Sequence, residues 1–171
     1  MDIDSLFAGM KEAPMFGRGN YMAEGVYEVD IAKLSLKPSF KGPIVLICEF
    51  IVKESSSPRH VVGSTGSWVS KIQGKAAAST FADAKCLALA AMSQVNADPE
   101  AQALAALLVT ATCGSEGAKA ELKALGVDKA EDLLIGKRVH LECLQVKTAP
   151  SVALPQGGDF TRYTWSPSRA S

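Results

Sequence analysis

Five strand-like segments, a helical block between the third and the fourth, and slips of alternation in the first and fourth predict an α+β, mostly-β chain. Strands that bend in this way serve two sides of a closed sheet. Five of them with helical material after the third have the connectivity of an OB-like Greek-key barrel. A length of 171 residues and an apolar content of 47% suit one structural domain with a real core. Its expected divisions are an acidic arm over residues 1–22, barrel strands one to three over 23–75, a helical insertion over 76–135, and strands four and five with a tail over 136–171.

The first strand is read from Val26 to Lys37, where Tyr27, Val29 and Ile31 alternate with Glu28 and Asp30. Parity then slips to Leu34 and Leu36, so an extra residue near Ala32 and Lys33 is needed to keep both halves on one core, as in a bulged strand. Ile44 to Val52 is apolar on both faces apart from Glu49, which suits a central strand. Val61 to Lys71 supplies a third strand around Trp68, approached through GSTGS. Past Lys75 the composition turns to helix formers, with Thr80 and Asp83 placed to cap the first helix. Asp98 and Pro99 suit the start of a second helix and Gly114 its end. A third helix is expected from Glu116 to Leu125 before Gly126, and a fourth from Lys129 to Ile135 behind Asp128 and Glu131. Arg138 to Lys147 forms the fourth strand, with a second slip of parity at Leu144 and Val146. The stretch GGDFTRYTWS, residues 157–166, holds the fifth.

Formal charge is zero, but it is segregated along the chain. Residues 1–30 carry −4, 31–75 carry +5, 76–135 carry −4 and 136–171 carry +3. A dipolar molecule with basic and acidic parts is implied. Cys48, Cys86, Cys113 and Cys143 lie 38, 27 and 30 residues apart with no C-x-x-C pair, which argues against a zinc site and a disulfide framework and for reduced thiols in a cytosol. Met1 to Glu12 opens on two aspartates and never builds the apolar run of a secretory signal. PIVLICEFIV is broken by Glu49, and no apolar run approaches the roughly 20 residues of a membrane span.

Catalysis is not expected. His60 sits in a polar loop, His140 occupies a strand position facing away from Val139 and Leu141, and no nucleophile, base and acid fall together. GSTGS lacks the following Lys-Ser/Thr of a phosphate cradle. No metal and no cofactor are expected either. Aromatic and basic residues are better placed. Only 11 residues are aromatic, yet Phe160, Tyr163 and Trp165 crowd the fifth strand beside Arg162. Single-stranded nucleic acid is held by a positive groove along its phosphates and by rings on which bases stack. The expected binding set is Trp68, Lys71 and Lys75 at the third strand, Arg138 and Lys147 on the fourth, and Arg162, Tyr163 and Trp165 on the fifth. Tyr163 and Trp165 share one face of their strand, Phe160 and Arg162 the other. The competing expectation is that the rings fill the barrel and Arg162 is merely solvated.

The segments GRGNYMAEGVYEVDI, VVGSTGSWVSK, GKRVHLECLQVKT and GGDFTRYTWSP, in that order, resemble small proteins encoded in bacteriophage replication and recombination regions, some regarded as single-stranded DNA-binding proteins. The resemblance covers about two thirds of the chain and omits most of the helical block. It implies an OB-like early protein in the host-cell cytoplasm that coats single strands and meets phage or host replication and recombination proteins. Bacterial-type single-strand-binding proteins end in an acidic tail, whereas this chain ends SPSRAS. An acidic, apolar peptide, MDIDSLFAGM, stands at the other end and is a candidate for docking on a partner or a neighbouring subunit. Small residues such as Ala88, Ala90 and Ala91 would serve either self-association or packing on the chain's own barrel. The alternative function is a non-enzymatic interaction or virion scaffold built on the same barrel.

Overall fold

The computed structural model describes residues 22–38, 42–94, 97–147, 149–150, 152 and 155–169. The acidic arm lies outside them, Met22 excepted. Five strands form one antiparallel sheet: β1 (Gly25–Pro38), β2 (Ile44–Ser55), β3 (Thr65–Lys71), β4 (Arg138–Lys147) and β5 (Asp159–Pro167). Their order across the sheet is β3-β2-β1-β4-β5, with β3 and β5 at its two edges. Three helices separate β3 from β4: α1 (Ala77–Ala91), α2 (Pro99–Thr112) and α3 (Glu116–Ala124). The fold is therefore α+β and mostly β. The sheet is open, since each edge strand pairs with one neighbour only.

The extra residue expected near Ala32 is present. The β1–β2 register steps from Ile31↔Phe50 to Lys33↔Glu49, passing over Ala32, and this restores Leu34 to the buried face. A second shift lies between Glu28 and Val29, where the β2 register passes over Lys53. The slip expected in β4 is absent. Pairing with β5 runs unbroken from Val139↔Pro167 to Lys147↔Asp159. Leu144 consequently stays on the outer face with Glu142 and is 48% exposed.

Among the helices, Asp98 caps α2 as expected, its carboxylate accepting from the Ala101 N–H at 2.7 Å, with Pro99 in the first turn. Gly114, at φ 105°, follows the end of α2 in the left-handed region that glycine adopts without penalty. Ser115 caps α3. Thr80 caps nothing. It lies inside α1, and its hydroxyl meets the Lys71 carbonyl at 2.6 Å and the Ser70 hydroxyl at 2.7 Å, tying α1 to the end of β3. The fourth expected helix is only a 3-10 turn at Ala130–Asp132, preceded by a left-handed Lys129 at φ 54°.

The core lies on the inner face of the sheet. Tyr27, Val29, Ile31, Leu46, Cys48, Phe50, Val52, Val139, Leu141 and Cys143 meet Leu87 and Ala88 of α1, Leu108 of α2 and Leu122 of α3. Alanines at positions 84, 88, 90 and 91 of α1 are buried in that contact, which is packing on the chain's own sheet. α1 packs chiefly on β5 and β4, and α2 and α3 follow it.

Candidate functional site

The two sheet edges approach each other through side chains. Trp68 of β3 and Trp165 of β5 meet edge to face, with ring centroids 6.0 Å apart, and Tyr163 stacks on Trp165 at 6.2 Å. The Tyr163 hydroxyl donates to the Ser67 carbonyl at 3.3 Å and accepts from the Met22 N–H at 3.2 Å. Between the edges, and walled by Ser79, Asp83 and Cys86 of α1, runs a cleft of about 820 Å³. Trp68, Arg162, Tyr163 and Trp165 thus come together, as the sequence anticipated.

Their exposure overturns the role given to the rings. Trp68 is 4%, Tyr163 7% and Trp165 6% exposed. Base stacking needs an open ring face, and these rings are packed against each other and against Phe50, whose centroid lies 5.9 Å from that of Trp165. They belong to the core because inward alternation on β5 selects Tyr163 and Trp165. Phe160, on the opposite face of β5, points away from the core and is 44% exposed.

The cations do not converge on one trough. Arg162 is exposed at the cleft beside half-buried Asp83, whose carboxyl is raised by burial and partly lowered again by that guanidinium. Arg138 is engaged elsewhere, with Nε and Nη2 donating to the Asp30 carboxylate at 2.8 and 3.2 Å. Lys147 closes the far end of the same strand, about 30 Å away for nine strand residues. Lys71 and Lys75 are exposed at the end of β3 and in the 3-10 turn behind it.

Another basic surface emerges from the sheet register. Partners in antiparallel ladders share a face, so the outer side of β1, β2 and β3 reads as three rows. Lys37, Val45 and Lys71 form one, Ser35, Ile47 and Val69 the next, and Lys33, Glu49 and Ser67 the third. The three lysines are exposed, whereas Val45 is 4% and Ile47 9% exposed. An aliphatic floor with a lysine rim and one carboxylate results. The charge of residues 31–75 had forecast the sign of this surface, but only the bulge at Ala32 decides that Lys33 and Lys37 share a face with Lys71.

A buried polar cluster lies on the outer side of β1 and β4, the side on which alternation had placed Glu28 and His140. Glu28 and His140 face each other in register, 4% and 5% exposed, with His140 Nδ1 3.2 Å from Glu28 Oε1. The same carboxylate accepts from the Ser168 hydroxyl at 3.0 Å and the Arg169 N–H at 2.8 Å. Ser168 thus serves the carboxylate, and the group is a clamp on the C-terminal segment. His60 accepts the Ala23 N–H through Nε2 at 2.8 Å, in keeping with a pKa lowered by burial and then by Arg59. Among the described residues no group of three or more His, Cys, Asp or Glu could hold a metal, and no helix is long and apolar enough to cross a membrane. No protein-family model matches this chain, and no curated protein matches it.

Proposed function

We propose that this protein binds single-stranded DNA without catalysis and with little regard to sequence, and that the outer face of β1, β2 and β3 takes the strand. The lysine-rimmed rows of that face carry the proposal. Lys33, Lys37 and Lys71 would neutralise phosphates while half-buried Val69 offers apolar contact to a sugar or base. The strand order supports an OB-type barrel: a sheet running β3-β2-β1-β4-β5 whose edges meet through Trp68 and Trp165 has the strand arrangement of that fold. The resemblance to phage replication and recombination proteins gives the setting, a host-cell cytoplasm in which exposed single strands are covered and escorted to phage or host replication and recombination proteins.

Fluorescence anisotropy of a labelled oligothymidylate tests it. The expected result is tight binding at low salt that weakens steeply as salt rises, and loss of most of it when Lys33, Lys37 and Lys71 are all replaced by Glu. An unchanged isotherm for that triple variant would remove the face from consideration. No binding at any salt favours the second reading, an interaction scaffold, for which the exposed Leu144 and Phe160 on the outer side of β4 and β5 provide an apolar contact.

A further inference from the structure

Resting on the strand-binding function proposed above, we infer that the cleft between β3 and β5 is a pocket for one unstacked nucleobase, preferring a base with a carbonyl oxygen beside a ring N–H, thymine being the smaller of the two DNA bases that qualify. Five observations meet there. The indole Nε1–H of Trp165 is buried and has no acceptor, although Trp165 lines the cleft. An unmet buried donor is costly, and a ligand oxygen that reached it, with a small shift of the ring towards the cleft, would relieve it. Asp83, on the opposite wall, supplies an acceptor for a ring N–H.

Phosphate is excluded from the same space. Asp83 would repel it, whereas exposed Arg162 at the cleft draws it to the outside, so an uncharged base enters and its backbone stays at the rim. Phe160 offers a half-open ring face beside the cleft. The cleft also adjoins the proposed strand track, because Val69 both lines the cleft and stands in the middle row of the β1, β2 and β3 outer face. A strand crossing that face needs only to turn one base over the free edge of β3. Recognition is then by hydrogen bonds rather than by stacking on the indoles, whose faces are packed away.

The full-length protein is titrated with oligothymidylate and oligoadenylate, reading labelled-strand anisotropy and tryptophan emission together. Thymidylate is expected to bind roughly five- to tenfold more tightly, the worth of one added hydrogen bond to a polar partner, and to shift the tryptophan emission. Trp165→Phe, which keeps a ring but removes the N–H, should abolish both the preference and the shift. Asp83→Asn, a change at a half-buried position that leaves the indole in place, should reduce the preference alone. The inference is overturned if thymidylate binds but the emission does not move, or if both variants keep the wild-type preference; strand binding on the lysine face would survive either result. Failure of every oligonucleotide to bind would end both proposals.

Discussion

Glu28 makes three contacts with one carboxylate, one to β4 through His140 and two to the segment after β5, through the Ser168 hydroxyl and the Arg169 N–H. Replacing it by Ala leaves a buried imidazole and a backbone N–H without their acceptor. The expected cost is about 2–4 kcal/mol in urea unfolding, against about 1 kcal/mol for Ser168→Ala. Thiols provide a second test at this scale. Burial pushes the Cys143 thiol from the ordinary 9.0 up to about 12 and Cys113 up to about 11, and raises Cys48 further, whereas Cys86 is exposed. Iodoacetamide near pH 8 should therefore label Cys86 in the native protein and the other three only after unfolding. Because the native thiol keeps its proton where the unfolded one has lost it, stability from Cys143 is intact below pH 9 and falls as pH rises towards 12, by about 1.4 kcal/mol per pH unit. Flat stability from pH 9 to 11 would contradict this. None of these pairings is legible in the sequence. Glu28 and His140 stand 112 residues apart, and alternation says which strand face a residue takes but not whether that face is covered. The same gap hid the burial of Tyr163 and Trp165: their shared face was plain, its direction was not.

At the scale of elements, what could be read was whatever the chain encodes within a few neighbours. The bulge at Ala32 followed from a change of parity, and the start of α2 from Asp98 and Pro99, since both are local devices. Leu144 misled because an apolar residue on the outer face of a strand looks the same as one on the inner face of a bulged strand. Thr80 misled because its partners, Lys71 and Ser70, belong to tertiary packing. Asp98→Ala should lower stability by about 1 kcal/mol through loss of the cap, with the change read from the melting curve. Gly66 on β3 makes a sharper case. A Cβ there would stand 2.6 Å from Met22 Sδ and 2.6 Å from Phe50 Cε2. Phe50 is wholly buried and Met22 nearly so, so neither yields freely, and Gly66→Ala should cost about 1–3 kcal/mol by overpacking. A variant as stable as the parent would mean that the Met22 side chain has another place to go. The stretch GSTGS therefore has a steric requirement at its second glycine, besides serving as a turn.

Across the whole molecule, charge segregation in the sequence becomes segregation in space. The basic block of residues 31–75 builds the second half of β1 together with β2 and β3, whose outer face carries Lys33, Lys37 and Lys71, while the acidic block of residues 76–135 forms helices that pack chiefly towards β4 and β5. A neutral protein can hold a polyanion when its cations share one surface, because screening cuts off charges more than about 8–10 Å away at moderate salt. Counterion release sets the size of the effect: for single strands, each phosphate neutralised contributes roughly −0.7 to the slope of log K against log salt. Replacing Lys33, Lys37 and Lys71 together by Gln should therefore flatten that slope by about 2, if each lysine meets one phosphate. Replacing Lys119 and Lys123 of α3, equally cationic but in the acidic block, should leave it unchanged. Equal flattening by the two sets would mean that DNA responds to overall charge rather than to this face. A slope altered only by the β-sheet lysines would locate the strand on the outer side of β1, β2 and β3, where Lys33, Lys37 and Lys71 stand exposed on one face.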